Sequence, residues 1–480
     1  MATGTRGLDP AAEQDIAGRL RALAPAMAGH PGLVVVSFDL PPLAPLLLWG
    51  AFPEHEASYW KSPAGTESAA IGRVAAVPAG PGTAVGVSAG ALDRLDRHLT
   101  RFDADTGGAD REPVRLYGGT AFDAGADTGV WAEFGGGEFV LPEISLESAG
   151  SAVRCRIAIE NPPAGGAGAC EEHLGLAFTR LVRGLEGARA APPARLGPET
   201  PPAPVEEDMP DEWVRLVERA RAAIRERRLR KVVVCRRRAI AIDAPRDPAA
   251  VLRELSSRAG EYVFGARRGG RTFLGASPEL LMQRAGRWLR TEALAGTRGL
   301  EAGLPRWRAL AEAAEQLYAS GKDLEEHALV VQGIVEALAP LVEHSSLPEW
   351  PEVRGLTDLA HLRSRIEAEL KAGVNTFELL GALHPTPAVG GLPRSEALDF
   401  LSRSEPVERG WYAGPVGWVN TEGDAEIAVG IRSALLAPRM AWLYAGAGIV
   451  LASDPLAEFR ETDAKMRRLS SALRVTEIPA

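Results

Sequence analysis

The chain has 480 residues, 46% apolar and 24% charged, an ordinary globular composition in a length that can bury a sizeable core. Its formal net charge is -9, with neither sign gathered in a long block, so nothing supports nucleic-acid binding, which needs a basic face. Three scattered cysteines, Cys155, Cys170 and Cys235, are too few for a disulfide framework or a metal knuckle and suit a reducing cytoplasm, the expected location.

The N-terminus, MATGTRGLDPAAEQD, has no apolar signal-peptide core. The stretch from Leu33 to Trp49 is interrupted by Asp39, Pro41, Pro42 and Pro45. It makes a poor membrane span and reads as a buried strand followed by a turn. Residues 1–189 otherwise read as short strands and turns, in the runs LVVVSFD, AIGRVAAV, VRLYGGTAFD, WAEFGGGEFVLPEISLE and AVRCRIAI. Few ionisable groups converge there, so this part is expected to be β-rich scaffold. Residues 190–210 are dense in proline and read as a linker.

Residues 211–480 open with a helix, DEWVRLVERARAAIRERRLR, whose apolar positions fall at helical spacing. A β-branched strand, KVVVCRRRAIAI, follows, then a hairpin with Ala285-Gly286 at its turn. Two helices come next, PRWRALAEAAEQLYASG and DLEEHALVVQGIVEALAPLV. The chain ends in strands, GWYAGPVGWVN, AEIAVGIRSALL and AWLYAGAGIVL, and a last helix. That order predicts a large mixed or antiparallel sheet system with packed helices, not alternating βαβ units.

The last helix carries the most chemistry. Asp454 before Pro455 is an N-cap arrangement. Glu458, Glu461 and Lys465 then share one face, while Phe459, Met466 and Leu473 share another. Spacing alone also allows Glu461 and Lys465 to be a wet surface ion pair. Asp323 and Glu326 share a face of a helix that is otherwise strongly apolar, and buried carboxylates need partners or a metal. Two such acidic faces brought together would favour a hard cation, Mg2+. His327 and His361 are isolated and read as hydrogen-bonded core or surface residues. Lys231 shares a strand face with Val233 and Cys235, where an amine is either a candidate base or an exposed edge residue. Gly446 and Gly448 either form a turn or let backbone N–H groups approach an anion. Arg432, read as lying in an apolar strand, wants a carboxylate from substrate or protein.

The runs KVVVCRR, FLGASPELL, TEALAGT, KDLEEHALVV, LHPTPAVGGLPR, ERGWYAGPVGW, AVGIRSALL, YAGAGIV and SDPLAEFRETDAK resemble the chorismate-utilising enzymes, in that family's order, across roughly residues 230–470. The N-terminal third resembles it more loosely. The resemblance implies an α+β fold like that of anthranilate synthase component I, with two large antiparallel sheets packed as a sandwich and helices outside. It implies chorismate as substrate, Mg2+ on Glu326, Glu458 and Glu461, and Asp323 behind them. Arg432 and Lys465 would bind substrate carboxylates, with backbone N–H groups near Gly446 and Gly448. Thr297, His361 and Tyr412 would line the pocket. Lys231 stands where water-using members carry a lysine, and Ala295 where amine-using members carry a nucleophilic lysine. The implied reaction is that of an isochorismate synthase, an isomerase: Lys231 activates water for attack at ring C2, and Glu279 protonates the departing C4 hydroxyl. Rival readings are a salicylate synthase, which goes on to eliminate pyruvate, anthranilate-type ammonia chemistry, and a non-catalytic chorismate-binding subunit. A monomer without membrane or nucleic-acid partners is expected. Whether the product feeds menaquinone, a siderophore or another metabolite is left open.

Overall fold

A computed structural model describes residues 8–474 except 82, 84, 124–128, 150–151, 162–165, 191–202, 205–209, 243–244, 302 and 357–358. Most of the proline-rich 190–210 segment therefore lies outside the described residues. Two sheets dominate, one of 14 and one of 10 strands among the described residues. The larger runs from Lys231–Ala241 through Met440–Ile449, Ser433–Ala437, Arg271–Ser277 and Tyr262–Arg268 into Ala57–Lys61, Glu67–Ile71, Ile144–Ala149, Ala152–Asn161 and Gly32–Leu40. The smaller runs from Leu359–Leu370 through Trp288–Gly299, Leu280–Ala285, Ala425–Val429 and Pro415–Asn420 to Arg115–Thr120 and Gly137–Leu141. Strands from residues 1–189 thus complete both sheets. Pairing is antiparallel apart from Gly32–Leu40 beside Leu99–Asp103.

Alternate residues of the large sheet enter two cores. Trp60, Phe264, Phe273, Leu435 and Tyr444 point into the core shared with the small sheet. Tyr59, Val263, Leu274, Leu436 and Leu443 point to the opposite core, under the helices Pro10–Met27, Gly166–Ala190 and Pro455–Ala472. Both faces are covered, so these strands are continuously apolar and show little alternation in hydropathy.

The N-terminal third departs from the strand-and-turn reading. It contains the helices Pro10–Met27, Val85–His98 and Gly166–Ala190, and Leu46–Ala51 is a short helix where a turn was expected. In the first of these, Ile16, Leu20, Leu23, Ala24 and Met27 are buried at three- and four-residue spacing. Among the described residues no helix is long and apolar enough to cross a membrane.

Two of the short passages that join the sheets position the site. The run RTFLGASPELL reads as one strand, but it leaves the large sheet at Ser277 and enters the small one at Leu280. AEIAVGIRSALL does the reverse, leaving the small sheet at Val429 and entering the large one at Ser433. The crossings lie side by side: Ala276 N–H donates to Arg432 O at 3.1 Å and Val429 N–H to Glu279 O at 3.1 Å.

Candidate active site

A cleft enclosing about 650 Å³ of empty space, open to solvent, lies where these crossings meet the helices Gly321–Leu338 and Pro455–Ala472. Its walls include Glu279, Thr297, Glu326, His361, Tyr412, Arg432, Gly446, Gly448, Glu461 and Lys465. Residues separated by almost two hundred positions in sequence thus meet around one space. Lys231, Asp323 and Glu458 are not part of the cleft surface and stand behind it.

Glu279 sits on the first crossing and is 3% exposed. Its Oε1 is buried with no hydrogen-bond partner among the described residues. Burial pushes its carboxyl up to about 8; Lys231 opposes the rise, Glu292 adds to it and Lys465 opposes it. The passage is anchored from outside by Arg354, which donates to Pro278 O at 2.8 Å and to the buried Glu292 at 3.0 Å. A neutral carboxyl that is unbonded and held at fixed orientation is suited to donate a proton near neutral pH.

Arg432 lies on the second crossing, not within a strand as the sequence reading had it. Its φ of 51° is in the left-handed region, a costly conformation for a side chain with a Cβ. Its guanidinium reaches His361 Nε2 at 3.4 Å. His361 Nδ1 lies 3.2 Å from Gly296 O and 3.1 Å from Thr297 Oγ1. A carbonyl only accepts, so these partners assign the proton to Nδ1 and leave Nε2 to accept from Arg432. Burial, then Arg432 and Lys465, push the imidazole down to about 3, so it stays neutral. His361 is therefore a buried pocket residue that orients Arg432. His327 fits the core reading, with Nε2 2.9 Å from Ser364 Oγ.

Lys231 is 1% exposed and not an exposed edge residue. Its amine lies 3.1 Å from Glu326 Oε1. This contact requires glycine at 448, where an added Cβ would stand 2.3 Å from Glu326 Oε1 and 3.1 Å from Lys231 Cε. Gly446 and Gly448 lie within the strand Met440–Ile449 opposite Cys235 and Val233. Val233 and Cys235 donate their N–H groups away from that strand, to Gly390 O at 2.8 Å and Glu405 Oε1 at 2.5 Å. In an antiparallel ladder the opposed glycines then turn their own N–H groups outward, on the side left open because Ser433–Ala437 pairs only as far as Leu443. Two backbone donors are thus available to an anion in the cleft.

Each helix glutamate is closed on a lysine. Glu326 meets Lys231, Glu461 meets Lys465 at 2.8 Å, and Glu458 meets Lys322 at 2.6 Å. Lys465 also donates to Gly446 O at 2.8 Å. Burial and then Glu461 raise the Glu458 carboxyl, against Lys322. Burial also raises Glu461, but Lys465 and then Lys322 bring it net below the usual carboxylate range. With the side chains so arranged, no three acidic, histidine or cysteine groups among the described residues converge closely enough to hold a metal. The donor set nevertheless suits a hard cation. It offers three carboxylates, and the Lys322 ammonium already acts on all of them as a stand-in charge. Asp323 faces elsewhere: it pairs with Arg298 and packs its Cβ near Gly296, supporting the pocket wall.

Sequence reasoning missed Lys322 and Tyr444. Tyr444 lines the cleft, stacks on Tyr412 at 5.2 Å and receives a hydrogen bond from Trp131 at 3.1 Å, so the N-terminal third reaches the site from behind. Its position in a glycine-flanked apolar strand gives no signal of this. Lys322 adjoins the DLEEH run and was readable as a charge near Glu326, but its partnership with Glu458 spans 136 positions.

The sequence model described as chorismate binding enzyme matches residues 19–474. The salicylate biosynthesis isochorismate synthase of Pseudomonas aeruginosa is 36% identical, over 94% of this chain and 93% of that protein. Isochorismate synthase MenF of Bacillus subtilis is 33% identical, over 75% of this chain and 74% of that protein. Among solved structures, MenF, the menaquinone-specific isochorismate synthase from Escherichia coli, superposes with a TM-score of 0.75 at 27% identity, covering 92% of this chain and 95% of that one.

Proposed function

The chain belongs to the chorismate binding enzymes, and from that premise we propose that it is an isochorismate synthase, converting chorismate to isochorismate by adding water at ring C2 and releasing the C4 hydroxyl. The observation that carries the mechanism is the buried, unpartnered Glu279 carboxyl, held protonated to about pH 8 on the crossing between sheets. Chorismate is a dianion. Arg432, steered by His361, Lys465 and the outward N–H groups of Gly446 and Gly448 meet its carboxylates. Lys231, which lies against Gly448 behind the cleft surface, is the base for the attacking water. Glu279 delivers its proton to the departing C4 oxygen, and the ring double bonds shift between the two positions. Ala295 lines the cleft and offers no amine to compete with water.

Mg2+ is assigned to Glu326, Glu458 and Glu461, where it would neutralise a substrate carboxylate. The charge pattern supports this assignment: the three carboxylates offset the three lysines paired with them, so burying a dianion beside them requires further positive charge. A soluble cytoplasmic monomer is the working picture. The test is incubation of the purified protein with chorismate and Mg2+. Chromatography should show chorismate and isochorismate approaching the same mixture from either direction. Stoichiometric pyruvate with salicylate fluorescence would transfer the assignment to a salicylate synthase, and no turnover under any metal condition would leave a chorismate-binding subunit.

A further inference from the structure

The three helix carboxylates differ in what their lysine partners are free to do. Lys231 is 1% exposed and sealed against Glu326. Lys465 is tied to both Glu461 and Gly446 O. Lys322 has only the Glu458 contact among the described residues, and its side chain is 32% exposed. It also stands in the first turn of the helix Gly321–Leu338, where the helix dipole disfavours a cation. Position therefore works against this ammonium, and its carboxylate partner holds it. Glu458 is its opposite, with only 3% of its side chain exposed and Glu461 as a like-charged neighbour. The Lys322 charge acts on Glu458, Glu326 and Glu461 together, the same set assigned to the metal.

Resting on that metal assignment, we infer that Lys322 is a placeholder cation: it holds the metal-site carboxylates together in the metal-free protein and is displaced into solvent when the divalent ion binds. A divalent ion on Glu458 would stand close to the Lys322 ammonium, and their repulsion weakens the hold of each on that carboxylate. Of the three lysines only Lys322 combines a single partner with a route to water. Divalent-ion affinity is then the result of a competition within the protein, and Lys322 is a positioning residue that sets it.

Calorimetric titration of the chorismate-free protein with MgCl2 tests this without recourse to activity. Lys322→Met should bind Mg2+ about tenfold more tightly than the wild type, which corresponds to removing about 1.4 kcal/mol of competition. Lys322→Arg, which keeps the charge, should stay near the wild type. Metal-free Lys322→Met should melt below the wild type, because Glu458 is left buried without a cationic partner, and saturating Mg2+ should close that gap. A second measurement uses the unaltered protein. In acylation footprinting by mass spectrometry, Lys322 should label faster with Mg2+ than without. Equal or weaker Mg2+ affinity in Lys322→Met, or Lys322 labelling unchanged by Mg2+, overturns the placeholder role while leaving the metal assignment standing. A wild-type protein that binds no divalent ion overturns both.

Discussion

Glu279 on the sheet crossing and Glu458 are buried, Glu326 and Glu461 partly so, and the two sets differ in whether a cation stands beside them. Glu279 has no hydrogen-bond partner for Oε1, and burial holds its proton to about pH 8. Glu326, Glu458 and Glu461 each have an ammonium within about 3 Å. Burial without a cation at hydrogen-bonding distance favours the neutral form of Glu279, whereas the Lys465 ammonium beside Glu461 favours its charged form. The first arrangement suits the proposed general acid, and the second suits the proposed cation site.

Removing the cation should have the largest effect. Treatment with EDTA should abolish turnover and excess Mg2+ should restore it; full activity in metal-free buffer would sink the assignment of the paired glutamates. Next come Glu279→Gln and Lys231→Ala. Each should lower kcat by about 10²–10⁴-fold while chorismate still binds, because general acid–base groups contribute on that scale. Near wild-type kcat in either variant would remove that residue from the reaction.

The contrast sharpens with pH. As an acid, Glu279 must be protonated, so kcat should fall as pH rises through about 8, the value to which burial lifts it. Stability carries the same sign. The folded protein keeps this proton until about pH 8, whereas an unfolded chain releases it near 4.5. Between those values unfolding releases a proton, so this group's contribution to stability falls as pH increases. Glu279→Gln should remove that fall, which thermal melts of both proteins from pH 5 to 9 would reveal. Parallel pH dependence in the two proteins would mean that Glu279 is ionised throughout.

The smallest perturbation is Gly448→Ala. Its Cβ would stand 2.3 Å from Glu326 Oε1, so the Glu326–Lys231 contact must open while the fold survives. The expected result is a loss of kcat of about tenfold or more, consistent with misplacing a general base, with a melting temperature within a few degrees of the wild type. Unchanged kcat would show that the Glu326–Lys231 contact is not needed for turnover.

The sequence by itself nominated the candidate site residues and determined much of the local structure. The motif runs pointed to Lys231, Glu279, Arg432 and the helix glutamates as candidate site residues, and the three- and four-residue spacing placed Glu458, Glu461 and Lys465 on one face of Pro455–Ala472. The helix reading failed in the N-terminal third, where strand-like runs drew attention from a helix whose apolar residues lie at helical spacing. The fold alone decided where RTFLGASPELL and AEIAVGIRSALL change sheets. Those strands are buried on both faces before and after the crossing, so their hydropathy is unchanged and nothing marks the break. Glu279 and Arg432 sit at those two breaks. Two of the three pairings were equally hidden: Lys322–Glu458 joins two helices 136 positions apart and Lys231–Glu326 joins a strand to a helix, and no local pattern encodes either, whereas Glu461–Lys465 is the i,i+4 pair that spacing allows.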